Sequence, residues 1–146
     1  MKIPRAVIDT NVLISGLIIP KGNPFQVLRL WQAKKFELLV SPNLIAETSE
    51  VFRRPKILKK YNLSLEQIEG FLQLIHVYGI IVLPTKSKAE VRDKKDQDIL
   101  DTAISGKADF LVTGDDDLLV LANDTRVGKL NILTPREFVE KMSKWI

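Results

Sequence analysis

Short apolar runs alternate with longer stretches of helical spacing along the whole chain, and this alternation constrains the fold more than any other feature. Ala6-Val7-Ile8 reads as a buried strand that runs into Asp9-Thr10-Asn11. Phe25, Leu28 and Trp31 fall near helical spacing between Pro24 and Lys34, and Phe36 to Val40 reads as a second strand. Ser41-Pro42 then starts a helix, with Ser41 as its N-cap, and that helix stops before Pro55. Ser64 and Gln67 form a capping box for a helix whose apolar stripe is Ile68, Phe71, Leu72 and Ile75. Further strands are expected at Ile80–Leu83, Phe110–Thr113 and Leu130–Leu133, and helices at Asp96–Ser105, after Asp115 and after Thr134. Strands that alternate with helices make βαβ units. The expected fold class is therefore α/β, a three-layer α/β/α sandwich around a central, mostly parallel five-stranded sheet. In such sheets, sites form at the carboxyl ends of strands where strand order reverses.

No repeat, low-complexity tract or linker divides the 146 residues, so one domain over residues 1–146 is expected. The chain has no cysteine, which removes thiol nucleophiles and thiolate zinc sites. No apolar run approaches the roughly 18 residues of a membrane span, and the apolar run before Asp9 is too short for a signal peptide. A cytoplasmic protein without membrane association is the expectation. The net charge is only +4, but its distribution is uneven. Arg53, Arg54, Lys56, Lys59 and Lys60 form one basic cluster; Lys86, Lys88, Arg92, Lys94 and Lys95 form a second. Such clusters are candidate phosphate contacts, although solvated faces are also lysine-rich.

The acids carry the chemical signal. Asp9 ends the first strand and Asp115 follows the fourth, where this fold class builds its sites. As purely structural features they would be a polar turn and a helix cap. Asp96, Ile99, Leu100, Ala103 and Ile104 share one helical face, so a carboxylate heads a buried stripe. That placement is costly unless the acid is paired or binds a metal. Asp98 and Asp101 lie about 200° and 140° from Asp96 at roughly 100° per residue, and are expected to face solvent. Glu47 lies on or beside the apolar face of Leu44, Val51 and Phe52; Glu50 borders the same stripe, and spacing does not separate them. Asp115 and Asp117 can face one pocket across a turn.

Several carboxylates in one crevice need a counter-charge, and a divalent cation supplies it. Oxygen ligands without thiolates select magnesium or manganese over zinc. Such a site can activate water and stabilise displacement at phosphorus. The lone histidine, His76, lies far from the acids and reads as a core-edge or surface residue, so a Ser-His-Asp triad has no support; no P-loop is present.

Taken in order, these segments resemble the PIN domain, a family of metal-dependent nucleases that includes VapC-type toxins. The matching pieces are Val7-Ile8-Asp9-Thr10-Asn11, Ser41-Pro42 leading to Glu47, Arg92-Asp93 leading to Asp96, and Ala108 through Asp115 followed by Asp117-Leu118-Leu119. Leu133-Thr134-Pro135-Arg136-Glu137-Phe138 is also similar to that family's last strand and helix. The resemblance implies strand order 3-2-1-4-5 and a magnesium or manganese site with Asp9, Asp96 and Asp115 as ligands. It implies Asp9, Glu47, Asp96 and Asp115 as the catalytic acids, favouring Glu47 over Glu50. Asn11, Thr113 and Asp117 match auxiliary positions. It further implies an endoribonuclease acting on single-stranded RNA, with an antitoxin partner and a homodimer or higher homo-oligomer common in the family. The basic stretch Arg53, Arg54, Lys56, Lys59 and Lys60 follows the Glu47 helix and suits a phosphate backbone. One departure is Lys94-Lys95, where the family often has further acids or a proline. The competing readings are a non-catalytic RNA- or protein-binding member of the same fold, and a phosphotransfer domain with Asp9 as nucleophile.

Overall fold

A computed structural model describes residues 2–144. Its sheet has five strands: β1 (Arg5–Ile8), β2 (Glu37–Val40), β3 (Ile80–Ile81), β4 (Phe110–Val112) and β5 (Asn131–Leu133). Their order is β3-β2-β1-β4-β5, and every pairing is parallel rather than most of them. The inner strands are apolar on both faces, as a sheet covered on both sides requires: Leu38-Leu39-Val40 and Phe110-Leu111-Val112 are all buried. With this strand order, the right-handed rule for parallel crossovers puts the β1–β2 and β2–β3 connections on one face and the β3–β4 connection on the other.

Eight helices connect and cover the described strands: α1 (Thr10–Ile18), α2 (Asn23–Gln32), α3 (Pro42–Phe52), α4 (Pro55–Lys60), α5 (Leu65–Tyr78), α6 (Lys94–Ser105), α7 (Asp116–Leu119) and α8 (Pro135–Ser143). The capping boxes at Ser64/Gln67 and Thr134/Glu137 form as their spacing dictates. Phe138 of α8 meets Phe36 and Phe110 edge-on, with ring centroids 5.2 and 5.3 Å away, which closes the core beneath the sheet.

Two helices escape the sequence pattern. Helix α1 is apolar nearly all round, so no single stripe marks it. It packs closely on α2 at Gly16, where an added Cβ would stand 2.3 Å from Leu28 and 2.6 Å from the Pro24 carbonyl. Helix α4 begins at Pro55, which ends the expected helix but also occupies the first turn of the next one.

Asp98 and Asp101 do not face solvent as their helical positions alone predict. The segment between β3 and α6 folds back over this face. Asp101 is buried and accepts hydrogen bonds from the Ser87 amide and Gln97 Nε2, both at 2.9 Å. Gln97 also donates to the Ala89 carbonyl and accepts from the Val91 amide. Half-buried Asp98 accepts from Ser41 Oγ at 2.7 Å and from Asn43 Nδ2 at 3.2 Å, tying α6 to the start of α3.

Candidate active site

Strand order reverses between β1 and β4, and the acids gather at the carboxyl ends of these two strands. Ile8 pairs with Val112, so the next residues, Asp9 and Thr113, emerge side by side. The Asp9 amide donates to the Val112 carbonyl at 2.9 Å. Thr113 Oγ1 donates to Asp9 Oδ2 at 2.6 Å and accepts from the Asp115 amide at 3.0 Å. Asp115 caps α7 by accepting from the Asp117 amide at 2.9 Å. It is thus both the helix cap and a member of the acidic group.

Helix α6 brings Asp96 to the same place. Asp93 caps this helix, accepting from the Lys95 and Asp96 amides at 2.7 and 3.2 Å. One carboxylate oxygen from each of Asp96, Asp115 and Asp117 can be chosen so that all three lie within 4.8 Å of one another. Asp9 flanks this triad beside Asp115. Asp96 and Asp9 are only 8% and 7% exposed, although both are acids.

Burial, followed by a hydrogen bond to Asp115 and the charges of Asp115, Asp93 and Asp9, pushes the Asp96 carboxyl up to about 7. Burial also raises Asp9, against the lowering effect of its Thr113 hydrogen bond. Helix α3 contributes Glu47, raised by burial and partly offset by Lys95, whose Nζ lies 3.8 Å from Glu47 Oε1. Glu50 instead turns outward into a two-pronged pair with Arg54 at 3.0 and 2.9 Å. Geometry thus separates two acids that spacing left together. The Thr10 hydroxyl is near enough to Glu47 to favour its charged form, yet it lies outside hydrogen-bonding geometry. It is the buried side-chain oxygen left without a partner among the described residues. Asp93, Thr10 and Gly114 belong to this neighbourhood; they stand within the matching segments of the sequence, where no role was assigned to them, and the Asp93-x-x-Asp96 spacing of an N-cap was the available signal for the first.

An all-carboxylate triad, further acids beside it and an unsatisfied hydroxyl suit a hard divalent cation. Asn11 is exposed on the first turn of α1, beside Asp9 at one wall of the crevice. Of the basic cluster, Arg53 pairs with Glu69 and Arg54 with Glu50, while Lys56, Lys59 and Lys60 are exposed on and along α4. His76 is exposed on α5 and takes no part. No described helix is long and apolar enough to cross a membrane.

Residues 5–117 match the family model for the PIN domain. The chain is 33% identical to the uncharacterized protein MJ1680 of Methanocaldococcus jannaschii, over 97% of this chain and 94% of that protein. Among solved structures it is similar to VapBC2 from Rickettsia felis, a crystal structure bound to a DNA fragment from its promoter. The TM-score is 0.58 at 18% identity, with 89% of this chain and 98% of that one covered, a likeness of fold.

Proposed function

The chain belongs to the PIN domain family, and from that premise we propose that it is a magnesium- or manganese-dependent endoribonuclease that hydrolyses phosphodiester bonds of single-stranded RNA. The observation that carries this reading is the convergence of Asp96, Asp115 and Asp117 within 4.8 Å, next to buried Asp9. These three carboxylates, with Asp9, would hold the cation. A cation bound there supplies a more acidic water and stabilises charge building at phosphorus. The protein's own groups do the rest. Thr113 fixes the rotamer of Asp9, and Asp93 fixes the first turn that presents Asp96. Glu47, whose carboxyl is raised by burial, would accept a proton from the attacking water. Lys95 and the exposed lysines of α4 would carry the strand's phosphates toward it.

The structural neighbour's name, VapBC2, supports a toxin role in a type II toxin–antitoxin pair with an antitoxin protein as partner; a homodimer or higher homo-oligomer in the cytoplasm is part of the same proposal. The test is incubation of the purified chain with single-stranded RNA, with magnesium, manganese or EDTA. Cleavage with either metal, absent in EDTA and lost in folded Asp9→Asn and Asp96→Asn, is expected. Cleavage retained in both variants would overturn the site.

A further inference from the structure

We propose that the cavity beside Asp9 and Asp115 is a subsite for one unpaired nucleoside of the substrate strand, and that Gly114 keeps it open. This deepens the nuclease reading and takes its substrate class from it. The cavity has a volume of about 390 Å³ and is lined, around the two acids, by Asn11, Val12, Ser15, Pro24, Gly114 and Pro135.

Gly114 is the first argument. Its backbone lies outside the left-handed region that Gly22 and Gly128 occupy, so conformation does not demand glycine. A Cβ built there meets nothing within 4 Å, so packing does not demand it either, unlike Gly16. Gly70 and Gly128 also face open space, but Gly114 lines the cavity next to Asp115, where a larger side chain would take up room that glycine leaves.

The lining says what that room suits. No lysine or arginine borders the cavity, so its own side chains offer a phosphate no positive charge. Half-exposed Pro24 and Pro135 offer apolar surface for the face of a base, above buried Val12. Asn11 and Ser15 are four residues apart on α1 and therefore share a face. Neither side chain has a hydrogen-bond partner among the described residues. An amide with donors and an acceptor, plus a hydroxyl, can read a base edge or a ribose hydroxyl. A base paired in a duplex has that edge occupied and cannot enter. The pocket thus selects a single strand, with its base on the α1 side of the acids and Lys95 on the Glu47 side.

The test measures binding separately from cleavage. Fluorescence anisotropy would compare the whole chain and its Gly114→Val variant on a single-stranded RNA octamer, with calcium as the metal. A set of octamers with one abasic position walked along the strand would be measured alongside. Stacking of one base predicts a roughly tenfold or larger loss for Gly114→Val on the intact octamer. The abasic octamer that is itself weakened in the parent chain should show no further loss in the variant. Ser15→Val should weaken binding about threefold and change the base preferred at that position. Manganese affinity, measured by calorimetry, should be unchanged in both variants. Equal binding of intact RNA by the parent and Gly114→Val would overturn the subsite, as would a parallel loss of manganese affinity. A chain that binds RNA through this pocket but cuts none would overturn the nuclease reading and keep the subsite.

Discussion

The Thr113 hydroxyl joins two acids, donating to Asp9 Oδ2 at 2.6 Å while it accepts from the Asp115 amide at 3.0 Å. It is fully buried, so neither bond exchanges freely with water. Thr113→Val keeps the shape and removes both. Groups that orient metal ligands typically change affinity about 10- to 100-fold when lost, and manganese affinity should fall by that much in calorimetry. Stability in urea should fall by about 1–3 kcal/mol, because the Asp115 amide loses its partner. Thr113→Ser should recover most of both. Undiminished manganese affinity in Thr113→Val would show that Asp9 needs no such tether.

The raised Asp96 carboxyl makes the metal-free protein sensitive to pH. Its folded value of about 7 lies above the ordinary 3.8, so the fold favours the protonated form. The associated stability is complete below the unfolded value and is lost as pH rises through about 7. Burial raises Asp9 and Glu47 in the same sense. In EDTA, the thermal midpoint should therefore fall between about pH 4 and pH 8. Asp96→Asn should flatten that decline and exceed the parent near pH 8. Added manganese should raise the parent's midpoint more at about pH 8 than at pH 5, because protons and metal compete for the same oxygens. A midpoint that rises over this range in EDTA would contradict the burial-driven shift.

Features decided within a few residues of chain were legible in the sequence. The apolar runs located all five strands, and the capping boxes at Ser64 and Thr134 appear where their spacing put them. Asp9 and Asp115 were legible because a strand end is both a local feature and the place where this fold builds sites. Features decided by distant chain were not. Asp101 looked exposed on its helix, and only the segment around Ser87 and Ala89 folding over it makes it buried. Glu47 and Glu50 border the same stripe, and their difference comes from Arg54 drawing Glu50 outward and Lys95 of another helix meeting Glu47. Helix α1 lacked a stripe because it is buried on nearly every side, and the role of Gly114 required knowing which space lies in front of it.

Asp101 is the structural acid of α6, in contrast to Asp96. It holds the Ser87 amide directly, and through Gln97 the Ala89 carbonyl and the Val91 amide. Asp101→Ala would leave the half-buried Ser87 amide without its partner, remove one of the three hydrogen bonds of Gln97 and loosen the segment that leads into Asp93. A loss of about 2–4 kcal/mol in denaturant unfolding is expected. Asp101→Asn keeps one acceptor oxygen and should lose less. Hydrogen exchange should speed up first at Ser87 and Val91, well before the sheet amides. A variant as stable as the parent would mean that these bonds do not hold the segment.

The basic cluster divides into paired and free charges, which predicts unequal roles on RNA. Arg53 and Arg54 are neutralised by Glu69 and Glu50 on the protein itself. Lys56, Lys59 and Lys60 are exposed and make no ion pair among the described residues; Lys60 rests over the Tyr61 ring at 5.3 Å. Cations that meet single-stranded phosphates each contribute about 0.7 to the slope of log affinity against log salt. Replacing the three lysines by alanine should therefore reduce that slope by about 2 and weaken RNA binding most at low salt. Replacing the two arginines should change the slope by clearly less than about 0.7 per residue, because each must leave its carboxylate before it can reach a phosphate. The reverse ranking, with the arginines dominating the salt dependence, would place the RNA path over α3 and α5 instead of along α4.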